Sequence, residues 1–400
     1  MTKGDGVNHI VIHSAADCSG CTACAGVCTH SAIRMEPDRL GFLYPKVDES
    51  QCVDCGMCVK VCAFHPEYDT SLNLATPVVY GGRHKDMREV MKSRSGAAFV
   101  AISDYVLNHG GVVYGAGFAD HFRVVHKRAT NKAERDELRG SKYVQSDLTG
   151  IFSEVKTDLQ NGRQVLFTGT PCQTAGLNAF VGKKLRANLL LADVVCHGAP
   201  APNVWRDYLE YVEKKEHEPV TGVNFRDKEL FGWDEHRETF TFGDKRAGTE
   251  RKKSYAIQYY SNILTRQSCS NCYFANTNRP SDITLADFWG IERVKPDANK
   301  DNKGVSLVLC NTEKGRELFD SVKAEMSIFP VLSNGYMQLN LRQPTDAHPH
   351  RNEFEEYYAR YGFVRAMRHY HFMGFRLAFT RWMIRQKSRA YRFRQGLRIK

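Results

Sequence analysis

Apolar residues change their spacing along the chain. Before Val78 they come only in short pieces, Ala32-Ile33-Arg34-Met35 and Gly41-Phe42-Leu43-Tyr44-Pro45, which predict two short strands. Thr70 to Thr76 is polar, lacks periodicity and reads as a linker. From Val78 onward strands and helices alternate. Val78-Val79-Tyr80-Gly81 reads as a strand, and Ala97 to Asn108 as a helix with Phe99, Ile102, Val106 and Leu107 on one side. Gly110-Gly111 then turns the chain into the strand Val112-Val113-Tyr114. Gln164 to Thr168 and Leu189 to Val195 are continuous apolar runs of the buried-strand type, the first followed by a helix from Thr174. This alternation predicts an α/β domain. Near the end, Phe372, Phe375, Phe379, Trp382 and Met383 recur at helical spacing, with Arg376, Arg381, Arg385 and Lys387 on the other positions.

Around the first two strands the informative residues are cysteines. The run C-x2-C-x2-C-x3-C occurs twice, as Cys18, Cys21, Cys24 and Cys28 and again as Cys52, Cys55, Cys58 and Cys62. Three thiolates spaced in this way wrap one cubane [4Fe-4S] cluster while the fourth ligates its neighbour. The spacing therefore assigns Cys18, Cys21, Cys24 and Cys62 to one cluster, and Cys52, Cys55, Cys58 and Cys28 to the other. A lone CxxC pair leaves zinc or a disulfide open, whereas eight cysteines in two identical registers point to a two-cluster ferredoxin module. Thr29 and Ala63 stand where proline usually follows the fourth cysteine, a change in the turn and not in the ligands.

Composition narrows the class. At 400 residues and 42% apolar content the chain can hold two or three domains with real cores. No apolar run approaches the roughly twenty residues of a spanning helix, and MTKGDGVNHI lacks the regions of a signal peptide. A cytoplasmic protein is expected, and thirteen cysteines in a reducing compartment favour metal ligation over disulfides. The net charge of +11 raises the question of nucleic acid, but residues 365–400 carry eleven Lys and Arg and no Asp or Glu, so the rest of the chain balances. No nucleic-acid partner is expected. A basic amphipathic tail with aromatic residues either lies on the anionic inner face of a membrane, as a peripheral contact, or packs on the body with its basic face in water.

Several motifs fall where an α/β sheet places chemistry. Ser93-Arg94-Ser95-Gly96 precedes a helix, where free N–H groups favour an anion, although a serine there also serves as an N-cap. Glu134 to Gly150, with Arg135, Arg139, Lys142 and Tyr143 beside Gly140-Ser141, reads on its own as a solvated helix face. The strand Gln164 to Thr168 ends in Gly169-Thr170-Pro171-Cys172-Gln173, and Leu189 to Val195 ends in Cys196-His197-Gly198. Ligands of open α/β sheets bind at such carboxyl ends. With Cys269 and Cys272, the thiols of Cys172 and Cys196 are enough for one more cubane cluster. Equally, Cys172 and Cys196 are small buried residues and Cys269 and Cys272 bind nothing or share a zinc. Cys310 reads as core.

Together, Ser93-Arg94-Ser95-Gly96, Gly111-Val112-Val113-Tyr114-Gly115, Arg139-Gly140-Ser141-Lys142-Tyr143, Gly169-Thr170-Pro171-Cys172-Gln173, Val195-Cys196-His197-Gly198, Asn224-Phe225-Arg226-Asp227-Lys228 and the run from Cys269 to Gly290 resemble one family. It is the coenzyme F420 hydrogenase/dehydrogenase beta-subunit family, in the bacterial form with a fused N-terminal two-cluster ferredoxin, and the resemblance spans roughly residues 8–330. The resemblance implies an oxidoreductase, a ferredoxin-coupled and flavin-dependent reductase or dehydrogenase that passes electrons between its clusters and a two-electron carrier through FAD. It implies that Ser93, Ser95, Gly96, Lys142, Tyr143, Gly169 and Thr170 line the flavin site, and that Cys172, Cys196, Cys269 and Cys272 hold a third [4Fe-4S] cluster beside it. Ala97 stands where relatives often have a second glycine. Arg226 and Lys228 can balance an anionic reduced flavin or an acidic substrate, and His197 can give a proton to the reduced substrate, although each taken singly also reads as structural or exposed.

The expected fold is thus an α+β ferredoxin-like two-cluster domain over residues 1–75, an α/β flavin-binding domain over 76–330 and a helical basic C-terminal extension over 331–400. The expected partners are ferredoxin or another low-potential donor and a small-molecule or envelope-precursor substrate, since bacterial relatives are often associated with polysaccharide synthesis. The competing expectation is an electron-transfer beta subunit of a hydrogenase or dehydrogenase complex with no organic substrate of its own.

Overall fold

Each cysteine run closes with one short helical turn, Ala23–Val27 and Met57–Lys60. Both turns are entered through a left-handed residue, Thr22 (φ 67°) and Gly56 (φ 75°), which bends the backbone sharply ahead of the third cysteine. The computed structural model, which describes residues 7–248 and 255–373, sets two short strands between them. These are β1 (Ile33–Pro37) and β2 (Leu43–Val47), antiparallel with Met35 opposite Pro45. The module is too small to bury its apolar residues alone. Ile10, Ile33, Phe64 and Tyr68 share a cluster with Ala175 and Phe274 of the body.

The expected linker at Thr70 to Thr76 is not one. β3 (Asn73–His84) begins inside it, with Asn73 opposite Thr312 and its Nδ2 donating to Arg279 O at 2.9 Å. Polar side chains do not prevent a strand where the backbone is paired and the side chains are hydrogen-bonded.

The body is a mixed α/β domain. Its further strands are β4 (Val112–Phe118), β5 (Val124–Ala129), β6 (Val165–Gly169), β7 (Leu189–Val194), β8 (Gly222–Asn224), β9 (Thr239–Phe242), β10 (Lys245–Gly248), β11 (Ile283–Asp287), β12 (Ser306–Thr312) and β13 (Met326–Pro330). Eight of the strands form one sheet in the order β13-β3-β12-β11-β7-β6-β4-β5. β4, β6, β7 and β11 run parallel at its centre, and antiparallel strands close it on both sides. The central strands are covered on both faces, which is why Val165, Leu166 and Phe167 are all fully buried and read as an unbroken apolar run.

A second core gathers the small sheet β10-β9-β8, the helix Pro202–Glu216 and the C-terminal helices Arg351–Tyr361 and Phe363–His369 around Trp205, Tyr208, Phe225 and Tyr255. The C-terminal segment through Met373 is therefore packed on the body, and Phe372, which begins the stripe expected either to lie on a membrane or to pack on the body, is buried in this core. The other residues of that stripe, Phe375 to Met383, lie outside the described residues. Among the described residues no helix is long and apolar enough to cross a membrane.

The run from Glu134 to Gly150 also departs from expectation. Its helix is short, Lys132–Glu137, and its cations are mostly covered. Arg135 is 2% exposed, with Nη1 donating to Val100 O at 3.1 Å and Ser103 Oγ at 2.6 Å, while Arg139 pairs with Asp136 and Glu89. Arg135 ties the helix Ala98–Asn108 to the helix Lys132–Glu137, and Arg139 reaches Glu89 of the helix Met87–Lys92, a tertiary task that a run of charges in sequence does not display.

Candidate functional site

The cysteines fall into the two groups that their spacing assigns. Cys28, Cys52, Cys55 and Cys58 line one small cavity with His9 and Gly56. Cys24 is buried among Cys21, Cys18 and Cys62, and burial first, then the charge of these neighbours, pushes its thiol well above the ordinary value. Groups so placed are thiolates only when an ion holds them, which is the condition of a cluster ligand.

The remaining quartet converges as well. β6 and β7 are parallel neighbours, so the turns after them stand side by side, and they carry Cys172 and Cys196. Cys269 lies within the short turn Gln267–Asn271 and Cys272 caps it. All four line one cavity of about 880 Å³ at the carboxyl ends of β6, β7 and β11. Burial, then Cys269, Cys172 and Cys272 in turn, pushes the Cys196 thiol well above its ordinary value. Thiolates on one tetrahedral zinc stand about 3.8 Å apart for Zn–S bonds of about 2.3 Å. Among the described residues no three cysteine sulfurs come within 4.8 Å of one another. The donor set is all sulfur and more widely spread than zinc requires, so it fits a cubane cluster better than a zinc ion.

The same cavity collects the loops that the resemblance implies. Ser93, Ser95, Lys142, Tyr143, Gly169 and Thr170 line it, with His197 and Arg226. Thr170 places Oγ1 3.2 Å from the sulfur of Cys172, and its N–H donates to Gln173 Oε1 at 2.9 Å. Ser95 donates its hydroxyl to Val305 O at 2.6 Å, which pins the loop to the strand region behind it. Tyr143 stacks on Tyr259 with ring centroids 4.9 Å apart. Lys142 donates to Glu137 O and Arg139 O, and burial, followed by the charge of Arg94, pushes its ammonium down to about 7.

Two expected residues stand apart from the cavity wall. Gly96 packs behind the loop, where a Cβ would run into Gly82 O and Ser306 N, so its role is close backbone packing and not contact with a cofactor. Lys228 is 6% exposed and spends its ammonium on three carbonyls, Val90 O at 2.5 Å, Lys303 O at 2.8 Å and Ser95 O at 3.1 Å. It braces the Ser93–Gly96 loop from behind. Arg226 does face the cavity, but its charge is matched by Asp287 and its Nη2 donates to Trp233 O at 2.7 Å. Asn262 turns its Nδ2 to Asp346 O, so its Oδ1 faces His197 Nε2 at 2.8 Å and that nitrogen carries the hydrogen. Burial lowers the affinity of this imidazole for a second proton, which leaves a neutral, oriented ring.

Three groups in the cavity wall are given no role at the flavin site by the sequence, although Arg94 and Arg139 lie inside the motifs named above. Arg94, His126 and Arg139 each have a buried nitrogen without a hydrogen-bond partner, Nε, Nδ1 and Nη1 respectively. Burial brings Arg94 down to about 10 and His126 down to about 4. Unpartnered buried guanidinium nitrogens beside Lys142 are a setting for an anion, and together with the stacked tyrosines they fit a cofactor that carries phosphates and an aromatic ring system, as FAD does. Arg94 lies inside a motif already conspicuous in the sequence. His126 lies on β5, with no nearby residue to mark it.

Comparison with known proteins gives two family matches. Residues 162–329 match the family model for the C terminus of the coenzyme F420 hydrogenase/dehydrogenase beta subunit. Residues 17–65 match the 4Fe-4S dicluster domain. A chain of the xenon-derivatised F420-reducing [NiFe] hydrogenase complex from Methanosarcina barkeri is 14% identical, covering 74% of this chain and 91% of that one at a TM-score of 0.45. Among curated proteins none matches. The chain thus joins a 4Fe-4S dicluster domain to a C-terminal domain of the coenzyme F420 hydrogenase/dehydrogenase beta-subunit family.

Proposed function

We propose that this protein is an iron-sulfur flavoprotein oxidoreductase that accepts single electrons at its N-terminal dicluster module and delivers them in pairs at the 880 Å³ cavity. The observation that carries the reading is that Cys172, Cys196, Cys269 and Cys272 share that cavity with the Ser93–Ser95, Arg139–Tyr143 and Gly169–Thr170 loops. A flavin bound there supplies the conversion between one-electron and two-electron transfer. The chain's part is to seat and tune it. Arg94 and Lys142 supply positive charge for phosphate, Arg139 offers its unpartnered Nη1 as a donor, Tyr143 and Tyr259 supply ring surface, and Thr170 offers a hydrogen bond to the sulfur nearest the loop. Ferredoxin or a comparable low-potential carrier is the donor in this reading, and a small organic molecule the acceptor.

The first experiment is iron, sulfide and flavin quantitation on one anaerobically purified sample. About twelve irons and one flavin per chain support three cubane clusters beside a flavin, whereas about eight irons without flavin sink the reading. The family match also accommodates an electron-transfer subunit without an organic substrate. That form would show flavin reduction by a low-potential donor but no organic turnover by the isolated chain.

A further inference from the structure

Arg266 stands where the dicluster module meets the body. Its side chain is buried, with the residue 1% exposed. Nε donates to Cys18 O at 2.7 Å and Nη2 to Leu43 O at 2.9 Å, both on the module, while Nη1 donates to Gln145 Oε1 on the body at 3.1 Å. The ring of Tyr44 lies 4.0 Å from the guanidinium carbon. The seat is made for this group, since a Cβ on Gly20 would come within 2.8 Å of Nη1, and Gln145 also donates from Nε2 to Ser19 O at 2.9 Å. On the other side, the backbone of Arg266 opens the turn that carries Cys269. Its N–H donates to Ala199 O at 2.9 Å, and its carbonyl accepts from Cys269 N–H at 3.0 Å.

All three hydrogen-bonding nitrogens meet neutral oxygens, and among the described residues no carboxylate pairs with this guanidinium. A buried cation is costly unless an anion faces it, and here the Asp38 carboxyl feels the charge without touching it. The Arg266 guanidinium touches the Cys18 carbonyl while its backbone carbonyl accepts from Cys269 N–H, so the residue bridges the two cysteine groups. Clusters held by the cysteines on either side would add anionic sulfur to this setting.

We propose that Arg266 is the electrostatic junction between the cluster held by Cys18, Cys21, Cys24 and Cys62 and the quartet at the cavity. One electron passing inward oxidises the outer cluster, at Cys28, Cys52, Cys55 and Cys58, and adds one negative charge to the inner one. A fixed positive charge at the inner site favours that reduced state and raises its potential above that of its neighbour. Arg266 is thus a positioning residue that makes the inward step downhill. The inference rests on the reading that electrons run from module to cavity.

The test is an EPR-monitored redox titration of the anaerobic full-length protein and three variants. Arg266→Gln removes the charge, Gln145→Glu sets a carboxylate against it without removing it, and Arg266→Lys keeps it. Arg266→Gln and Gln145→Glu are expected to shift one N-terminal cluster to a more negative midpoint potential and leave the other in place, while Arg266→Lys stays near wild type. If Arg266→Gln fails to retain iron, Gln145→Glu decides. Unmoved potentials in Gln145→Glu with full iron overturn the proposal, and so does an equal shift in Arg266→Gln and Arg266→Lys, because that outcome reports geometry and not charge. A wild-type protein without flavin would sink the proposed function and leave these shifts readable. Unmoved potentials in a flavin-replete protein sink this inference alone.

Discussion

The sulfur of Cys21 is seated against Gly176, in the interior of the helix Pro171–Leu185. A Cβ on Gly176 would stand 2.8 Å from that sulfur and 2.9 Å from the Cβ of Cys21. Glycine in a helix interior is about 1 kcal/mol worse than alanine, so the close approach and not helix propensity keeps it there. The first turn of the same helix carries Cys172, whose charge is among the causes that raise the Cys21 thiol. One rigid element therefore touches a ligand of the inner module cluster and a member of the cavity quartet.

Gly176→Ala should accordingly do harm where propensity alone predicts a gain. The expected result is a lower melting temperature and a loss of up to about four irons per chain, read by thermal denaturation and iron analysis on anaerobic protein. A more stable protein with unchanged iron would show that the helix and the cluster loop part easily.

Cys172 and Cys310 are both cysteines near the central sheet, and they should answer alanine differently. Cys172→Ala removes a quartet member and should lower iron from about twelve to about eight per chain, with the N-terminal cluster signals retained. Cys310 is fully buried in β12, in an apolar cluster with Val308 and Phe319. Cys310→Ala should leave iron unchanged and cost about 1 kcal/mol of stability from lost packing. Equal iron in the two variants would remove the third cluster from the scheme.

The doubled cysteine motif was legible because ligand spacing is local, and the structure groups Cys28 with Cys52, Cys55 and Cys58 accordingly. The strands Val165–Gly169 and Leu189–Val194 were legible because strands covered on both faces read as nearly unbroken apolar runs, interrupted here only by Thr168 and Asp193. What stayed hidden depends on distant partners. Arg135 looked solvated because its acceptors, Val100 O and Ser103 Oγ, lie more than thirty positions away. Lys228 looked catalytic from its neighbours in sequence, whereas its three carbonyl acceptors come from other segments. Arg266 gave no local sign at all, since its task is to touch Cys18, Leu43 and Gln145 together.

The bracing role of Lys228 is open to a direct test. Lys228→Met leaves three buried carbonyls without their donor. Hydrogen bonds to charged groups contribute about 1.5–3 kcal/mol, and loss of this shared donor should cost roughly 2–4 kcal/mol of unfolding free energy together with weaker flavin retention. A residue that balanced charge at the reacting centre would instead cut turnover while stability held. Urea unfolding beside flavin content separates the two.

Lys142 gives the cavity a dependence on pH. Burial, then Arg94 and Lys127, brings its ammonium from 10.5 down to about 7. Between about pH 7 and 10 the unfolded chain therefore binds the proton that the folded flavin-free chain has lost, and by linkage this residue makes stability rise with pH across that window. Anion binding runs the other way, because only the protonated ammonium pairs with a phosphate. Flavin retention should weaken as pH climbs from 7 toward 9, while the melting temperature of the flavin-free protein gains from this residue. Lys142→Met should flatten both trends and bind flavin poorly throughout. Lys142→Arg, charged across the whole range, should hold flavin at pH 9 better than the wild type does. Equilibrium dialysis with FAD at pH 7 and 9 on the three proteins reads this directly, and equal pH dependence in wild type and Lys142→Met would remove Lys142 from the anion site.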